Sequence, residues 1–296
     1  MKRPTAAGVP RLSTLRAVLL VVLSAFCFAI GHAGAKYLSD DLHPFVIAFW
    51  RNFMGLLPFL PWMARNWAAG MHTNRFSLHV MRAFVSAGTV LLWFSALALM
   101  PLADATALSM LGPLFAMLFA GLFLAERVEP RRWGAIAFGM LGALVIVRPG
   151  FEAVGLGAIL VLCRGLCQGA DKVMAKTLTR TDEPRAIVAW VMLLMTPITL
   201  AFAVFFWKWP DLAQFALLTG IGLAGALANI CMVTAYREID VSLVEPITFT
   251  RMIWAAVLGY FIFAEFPDLW VWIGGAMIVA ATSYIARREA TMKRAG

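Results

Sequence analysis

Charge is scarce in this sequence. Lysine, arginine, aspartate and glutamate make up 14% of the 296 residues, against about 25% in a soluble globular domain. That excludes an ordinary soluble enzyme or binding domain. Cysteine is scarce too: Cys27, Cys163, Cys167 and Cys231 lie inside apolar stretches, with no CxxC pair. They read as small membrane-buried side chains, which excludes a disulfide-stapled module or a zinc ribbon. The histidines His32, His43, His72 and His79 are scattered, and no HExxH, nucleophile motif or Walker A sequence occurs. A membrane metalloenzyme or a self-contained ATP-driven pump lacks its machinery here. No metal and no cofactor are expected.

What is abundant is apolar. Hydrophobic residues reach 62%, with 22 Phe, 16 Met and 11 Trp, and the mean hydropathy is +0.82. One soluble core cannot hide so much apolar surface, so most of the chain has lipid as its solvent. A bilayer core of roughly 30 Å takes about 20 apolar residues of helix. Ten segments meet that need: 17–37, 44–64, 77–99, 102–125, 131–148, 155–177, 185–207, 212–235, 241–264 and 268–286. Breakers and charges separate them, among them Asp40–Asp41, Pro101, Pro149–Gly150, Pro184, Pro210–Asp211 and Pro267–Asp268. The reading is an all-α polytopic membrane protein with ten transmembrane helices.

The net charge of +9 follows from topology and does not point to nucleic acid. With a cytoplasmic N-terminus, one set of helix ends carries Lys2, Arg3, Arg11, Arg16, Arg65, Arg75, Arg127, Arg131, Arg132, Lys176, Arg180, Arg185, Arg237, Arg287, Arg288, Lys293 and Arg294. The other set carries only Lys36, Arg148 and Lys208. By the positive-inside rule both termini are cytoplasmic, in a cytoplasmic or inner membrane.

The chain also repeats itself at an offset of 140 residues: Cys27 falls on Cys167, Ala35–Lys36 on Ala175–Lys176, Pro44 on Pro184 and Trp50 on Trp190. One residue of slippage later, Ala125–Glu126 falls on Ala264–Glu265 and Trp133 on Trp272. The two copies are 15–148 and 155–288, each with five spans. Five is odd, so the second copy enters the bilayer from the opposite face. The first span takes part in the repeat, which argues against its being a cleaved signal peptide. Inverted repeats around a midplane site are the architecture of many secondary transporters, which rock one half against the other.

Further motifs carry a resemblance. They are Phe49-Trp50-Arg51-Asn52 in the second span, Leu97–Ala107 leading into a fourth span with Pro113, the Ala-Glu pairs ending at Glu126 and Glu265, and the glycine-rich fifth spans. With these features the chain resembles the drug/metabolite transporter superfamily, as two EamA-type five-helix units. The run from Leu258 to Glu265 followed by Pro267-Asp268-Leu269-Trp270 is similar to bacterial members grouped with S-adenosylmethionine and riboflavin carriers. The second half departs from the first: Met252 stands at the position of Pro113, and its proline comes earlier, at Pro246. The two prolines are the gating or kink positions, set at different depths.

Charges inside a bilayer cost at least about 2.5–3.5 kcal/mol near a helix centre, so they pair, snorkel or face a wet cavity. In the sixth span Arg164, Gln168, Asp171, Lys172 and Lys176 form one stripe at three- and four-residue steps. The equivalent stripe on the first span is Ser24, Phe28, Gly31–His32 and Lys36. Two such stripes line a shared cavity, unless Asp171 merely pairs with Arg164 or Lys172 to hold helices together. The ninth span offers Glu245, Thr248 and Arg251, and the fourth Thr106, Ser109 and Gly112. Glu245 is the candidate for proton coupling, since burial favours a protonated carboxyl. Arg51 reads as a substrate contact and Arg82 as an anchor at the inner face. Lys36 and Lys176 lie at helix ends, within reach of headgroups. Trp93, Trp254 and Tyr236 offer stacking surfaces, with packing or lipid contact as the bland alternative.

Lys36, Arg51, Arg82, Arg164, Lys172 and Arg251 outnumber Asp171 and Glu245 in the interior. A ligand with a carboxylate, phosphate or similar acceptor relieves that imbalance. The expected function is a secondary carrier of an anionic or zwitterionic metabolite (an amino acid, organic acid or flavin-like compound) with proton or exchange coupling. The expected site has contacts from the first, fourth, sixth and ninth spans, with Arg51 nearby. The resemblance to carriers of a cationic metabolite keeps a cationic substrate open, and a non-transporting sensor or scaffold is the reading from another class. Expected partners are substrate and lipid. Gly165-x-x-x-Gly169 and Gly220, Gly222 and Gly225 allow close helix approach, within the bundle or in a homodimer.

Overall fold

A computed structural model of the chain describes residues 11–65, 71, 73–112, 114–115, 130–147, 155–178, 181–182, 184–238 and 247–295. Within these, the side chains of 11–14, 130–132, 172, 175–176, 184–185, 233, 236–238 and 285–295 are not described. The helices are α1 (Arg11–Leu38), α2 (Pro44–Leu56), α3 (Phe76–Leu97), α4 (Leu102–Ser109), α5 (Pro130–Val147), α6 (Leu156–Leu178), α7 (Pro184–Ala203), α8 (Leu212–Glu238), α9 (Thr250–Phe263) and α10 (Leu269–Ala295). Beyond Leu56 the chain runs through a 3-10 turn, Leu57–Phe59, into Leu60–Arg65, so α2 reaches the length of a full span. Each helix falls on one of the ten expected segments, and the described residues contain no strand.

Local chemistry explains these elements. Pro44 opens α2, where a missing N–H costs nothing, and His43 caps it by accepting a bond from the Phe45 N–H at 3.3 Å. Among the described residues, five stretches are long and apolar enough to cross a bilayer: Leu15–Leu38, Pro44–Arg65, Phe76–Leu97, Ala186–Phe206 and Leu212–Met232. Trp133–Val147, Thr250–Phe263 and Leu269–Tyr284 are shorter apolar helices. Large apolar side chains such as Leu19, Phe84, Leu141, Leu223 and Phe261 stay exposed on the bundle surface, where lipid is their solvent. Cys163 is exposed there as well, whereas Cys27 and Cys231 are buried.

The packing follows the repeat. α1 packs on α8 and on α9, and α2 packs on α8. Adding five to each helix number turns these contacts into α6–α3, α6–α4 and α7–α3, all of which are present. The α2–α7, α4–α9 and α5–α10 contacts map onto themselves. The two halves therefore interlock, each lending helices to the other's core.

Their opposed directions can be read at Met100. Lys36, near the end of α1, donates to the Met100 carbonyl at 2.7 Å. A Cβ on Gly157, at the start of α6, would meet the Met100 side chain at 3.1 Å. α6 thus begins at the end of the molecule where α1 finishes, and the equivalent helices run in opposite senses.

Two polar clusters mark the ends. At one, Lys208 Nζ donates to the Asp41 carbonyl at 2.9 Å, and His43 stacks on Phe206 with ring centroids 3.8 Å apart. At the other, Thr73 Oγ1 and His79 Nε2 meet Asp182 Oδ2 at 2.5 and 2.7 Å. Burial pushes the Asp182 carboxyl pKa up, but hydrogen bonds from His79, Thr73 and Thr181 outweigh it and hold that pKa below the usual carboxylate value.

Candidate functional site

A cavity of about 300 Å³ lies between the halves. Its wall is built from α2 (Arg51, Asn52), α3 (Arg82, Ser86, Thr89), α6 (Gln168, Asp171), α7 (Met192, Met195) and α8 (Gly225, Asn229). Asp171 and Arg82 stand seven residues before the end of α6 and six after the start of α3, so this part of the wall is nearer the Asp182 end.

One wall is an ion pair across the α3–α6 crossing. Arg82 Nε donates to Asp171 Oδ1 at 2.9 Å and Nη2 to Oδ2 at 3.4 Å, a bidentate fork. Ser86 Oγ donates to the same Oδ1 at 2.6 Å, and Arg82 Nη1 reaches the Ile187 carbonyl at 3.4 Å. Arg82 is thus buried and paired in the cavity wall, not snorkelling at the inner face. The sequence offered Arg164 or Lys172 as partners of Asp171; the observed partner comes from another helix.

The facing wall carries Arg51. Its Nη1 donates to Asn52 Oδ1 at 3.2 Å, and its guanidinium carbon lies 5.9 Å from the Phe94 ring centre. It rests on α8 where side chains are missing: a Cβ on Gly225 would sit 3.3 Å from Arg51 Nη2, and one on Gly222 would meet the Arg51 carbonyl at 3.1 Å.

Behind this wall is a charged layer. The guanidinium of Arg164, a buried residue, lies 4.3 Å from the Trp93 ring centre, a stacked cation–π geometry. Its Nε and Nη1 have no acceptor among the described residues. His32 meets Trp93 edge-on at 4.8 Å. Arg51, Arg164 and Arg251 lie close enough for their charges to act on His32, and Arg164 also feels Arg51 and Arg251. Five helices, α1, α2, α3, α6 and α9, converge on this layer.

The expected site residues therefore divide. Arg51, Gln168 and Asp171 line the cavity; His32, Trp93, Arg164 and Arg251 form the layer beside it. Ser109 Oγ donates to the Thr106 carbonyl of its own helix at 2.7 Å. Thr248 is half-buried just before α9. Trp254 packs edge-on against Phe26 at 4.9 Å. Lys172 and Tyr236 lie on described helices, but their side chains, like that of Lys176, are outside the described residues, as are Pro113, Glu126, Glu245 and Pro246. Sequence reasoning missed Ser86, Thr89 and Asn229; the signal was there, since polar side chains inside apolar spans are costly. No group of three or more His, Cys, Asp or Glu able to hold a metal occurs among the described residues.

The profile of the EamA-like transporter family matches residues 15–148 and again 155–287. The chain belongs to the EamA-like transporter family. It is a multi-pass membrane transporter, not an enzyme. A riboflavin transporter of Rhizobium johnstonii is 34% identical over 280 residues, covering 93% of this chain and 92% of that protein. An S-adenosylmethionine uptake transporter of Rickettsia bellii is 26% identical over 258 residues, covering 86% and 88%. A solved crystal structure, 20% identical, superposes with a TM-score of 0.62 over 92% of this chain and 98% of that one, a likeness of fold.

Proposed function

We propose that this EamA-family protein is a secondary transporter of a small, flat, acceptor-rich organic metabolite of the flavin kind, moved across the cytoplasmic membrane by alternating access. The observation that carries the substrate reading is Arg164: buried, stacked on Trp93, with two donor nitrogens unanswered. A buried cation with spare donors calls for a ligand oxygen or nitrogen acceptor. Arg51 adds a second guanidinium, half-buried on the cavity wall. A planar heterocycle with carbonyl oxygens answers both the donors and the ring surface, and the riboflavin transporter among the relatives supports this choice.

The cavity's asymmetry supports alternating access. Its wall uses α2 and α7, α3 and α8, two pairs of repeat equivalents, but α6 without its counterpart α1. A pseudo-twofold molecule with a one-sided cavity is in one of two states, and exchanging the repeats gives the other, walled by α1. The repeats in this reading are 15–148 and 155–288. The basic residues of the sequence assign the Asp182 end and both termini to the cytoplasm.

A second reading is an S-adenosylmethionine-like cation, supported by the S-adenosylmethionine transporter among the relatives and by the Asp171 carboxylate. It is the weaker one because Arg82 already neutralises Asp171.

Proteoliposomes test these readings. Saturable uptake of labelled riboflavin, unaffected by S-adenosylmethionine, is expected. Arg164→Ala and Arg251→Ala should each lower flux by about tenfold or more with insertion intact, the worth of a buried charged hydrogen bond. Wild-type flux in both variants overturns the site, and uptake of S-adenosylmethionine alone selects the second reading.

A further inference from the structure

We infer that Lys36 and Glu265 are the gate residues at the Asp41 end, a pair that must part before the cavity opens there. This rests on the transport reading above. Lys36 Nζ meets Glu265 Oε1 at 2.5 Å, with the two side chains 14% and 21% exposed. Lys36 belongs to the first repeat and Glu265 to the second, so the bond holds the two halves together where they would separate. Lys36 also donates to the Met100 carbonyl at 2.7 Å and lies 5.2 Å from the Phe263 ring centre. Its charge is spent on the protein rather than on a lipid headgroup.

The other carboxylate oxygen is used as well. Glu265 Oε2 accepts the Leu102 backbone N–H at 2.9 Å, at the N-terminus of α4. A carboxylate there also complements the helix dipole. One side chain thus ties the end of α1, the α3–α4 turn and the α9–α10 turn to a single point. His32, in the charged layer, is four residues (36 minus 32) or about one helical turn from this point.

Backbone geometry aims the carboxylate. Ala264 has φ 53°, the positive-φ non-glycine residue among those described. An L-residue held there is strained, because its Cβ crowds the neighbouring carbonyl oxygen. Ala264 N–H donates to the Tyr260 carbonyl and Glu265 N–H to the Gly259 carbonyl, each at 3.1 Å, closing α9 and reversing the chain. The left-handed cap therefore directs Glu265 toward α4 and Lys36. Strain kept at such a point fits a part that has to be aimed and released.

The test uses protein free of its four native cysteines, reconstituted in liposomes, with Val90→Cys as a reporter on the cavity wall. A membrane-impermeant thiol reagent is applied from the side of the Asp41 end. Labelling should be slow in the parent and at least about tenfold faster in Lys36→Met and Glu265→Gln, the shift expected from one lost charge-assisted hydrogen bond. The exchanged pair Lys36→Glu/Glu265→Lys should return labelling to slow, because it puts one cation and one anion back across the same seam. A reducible bis-methanethiosulfonate cross-linker joining Lys36→Cys to Glu265→Cys should stop flux, and its reduction should restore it. The linker spans the gap that the long lysine and glutamate side chains fill, which is too wide for a direct disulfide. Unchanged labelling in both single variants, or full flux through the cross-linked protein, overturns the gate. Expected labelling with no flux in the parent protein supports the latch and overturns the transport reading.

Discussion

Asp171 has two lives in the bundle: it faces the cavity, and it is the counter-charge for Arg82. Oδ1 takes bonds from Arg82 Nε and Ser86 Oγ, while Oδ2 takes the longer one from Arg82 Nη2. Removing the charge leaves a guanidinium of an 11%-exposed side chain without its partner. Asp171→Asn should therefore cost on the order of 3 kcal/mol, because breaking a buried pair strands the other ion. Replacing both, as Arg82→Met with Asp171→Leu, should cost much less. Thermal melting of the purified proteins in detergent compares them, and equal losses in both would sink the account. The stripe on α6 was legible in the sequence, because charges at three- and four-residue steps on an apolar helix have few explanations. Arg82 was not. Its depth in the span fits snorkelling as well as pairing, and only tertiary structure brings α3 to α6.

Close approach of elements is decided by glycines, and two on α8 separate contact from mere permissiveness. A Cβ on Gly222 would come within 2.6 Å of Met54 Cβ and 3.0 Å of the Gly55 backbone nitrogen, both on α2. A Cβ on Gly220 would meet nothing within 4 Å. Gly222→Ala must push α8 off α2, and since Arg51 sits at that crossing, substrate binding should weaken with stability. The expected loss is about 1–3 kcal/mol from overpacking. Gly220→Ala should instead be neutral or slightly stabilising, since alanine favours helix. Melting temperatures and substrate-induced shifts of the two variants check this, and equal effects would refute it. The sequence presents both glycines as one small-residue run. Which of them touches a neighbour depends on helix rotation, which periodicity leaves undetermined on a helix apolar all round. α4 and α9 raise the same difficulty: Ser109 spends its hydroxyl inside α4, a choice open to any serine in a helix.

The order of the whole molecule was the most legible part, because a 140-residue offset and an odd number of passes per copy leave little freedom. The α1–α8 and α6–α3 contacts, and the opposed running of α1 and α6 at Met100, are what an inverted repeat requires. The cavity was less legible. An exchange-symmetric molecule suggests an exchange-symmetric site, with α1 and α6 both on its wall, whereas a molecule held in one of two states shows only one of them. That difference can be tested in vesicles of known orientation. Cysteines at Asp40 and Thr181, in otherwise cysteine-free protein, should label from opposite sides, with Asp40→Cys external by the positive-inside rule. A cysteine at Ser86, on the cavity wall, should label from the Thr181 side while the Lys36–Glu265 pair is closed. A cysteine at Ser24 should resist labelling from both sides in that state, since Ser24 is fully buried and donates to the Ala228 carbonyl at 2.8 Å. In Glu265→Gln the pattern should reverse: Ser86→Cys becomes slower from the Thr181 side, and Ser24→Cys becomes reachable from the Asp40 side as α1 takes the place of α6 on the cavity wall. Labelling of Ser86 and Ser24 from one side in both backgrounds would mean a fixed vestibule rather than two exchanging states, and alternating access would fall with it.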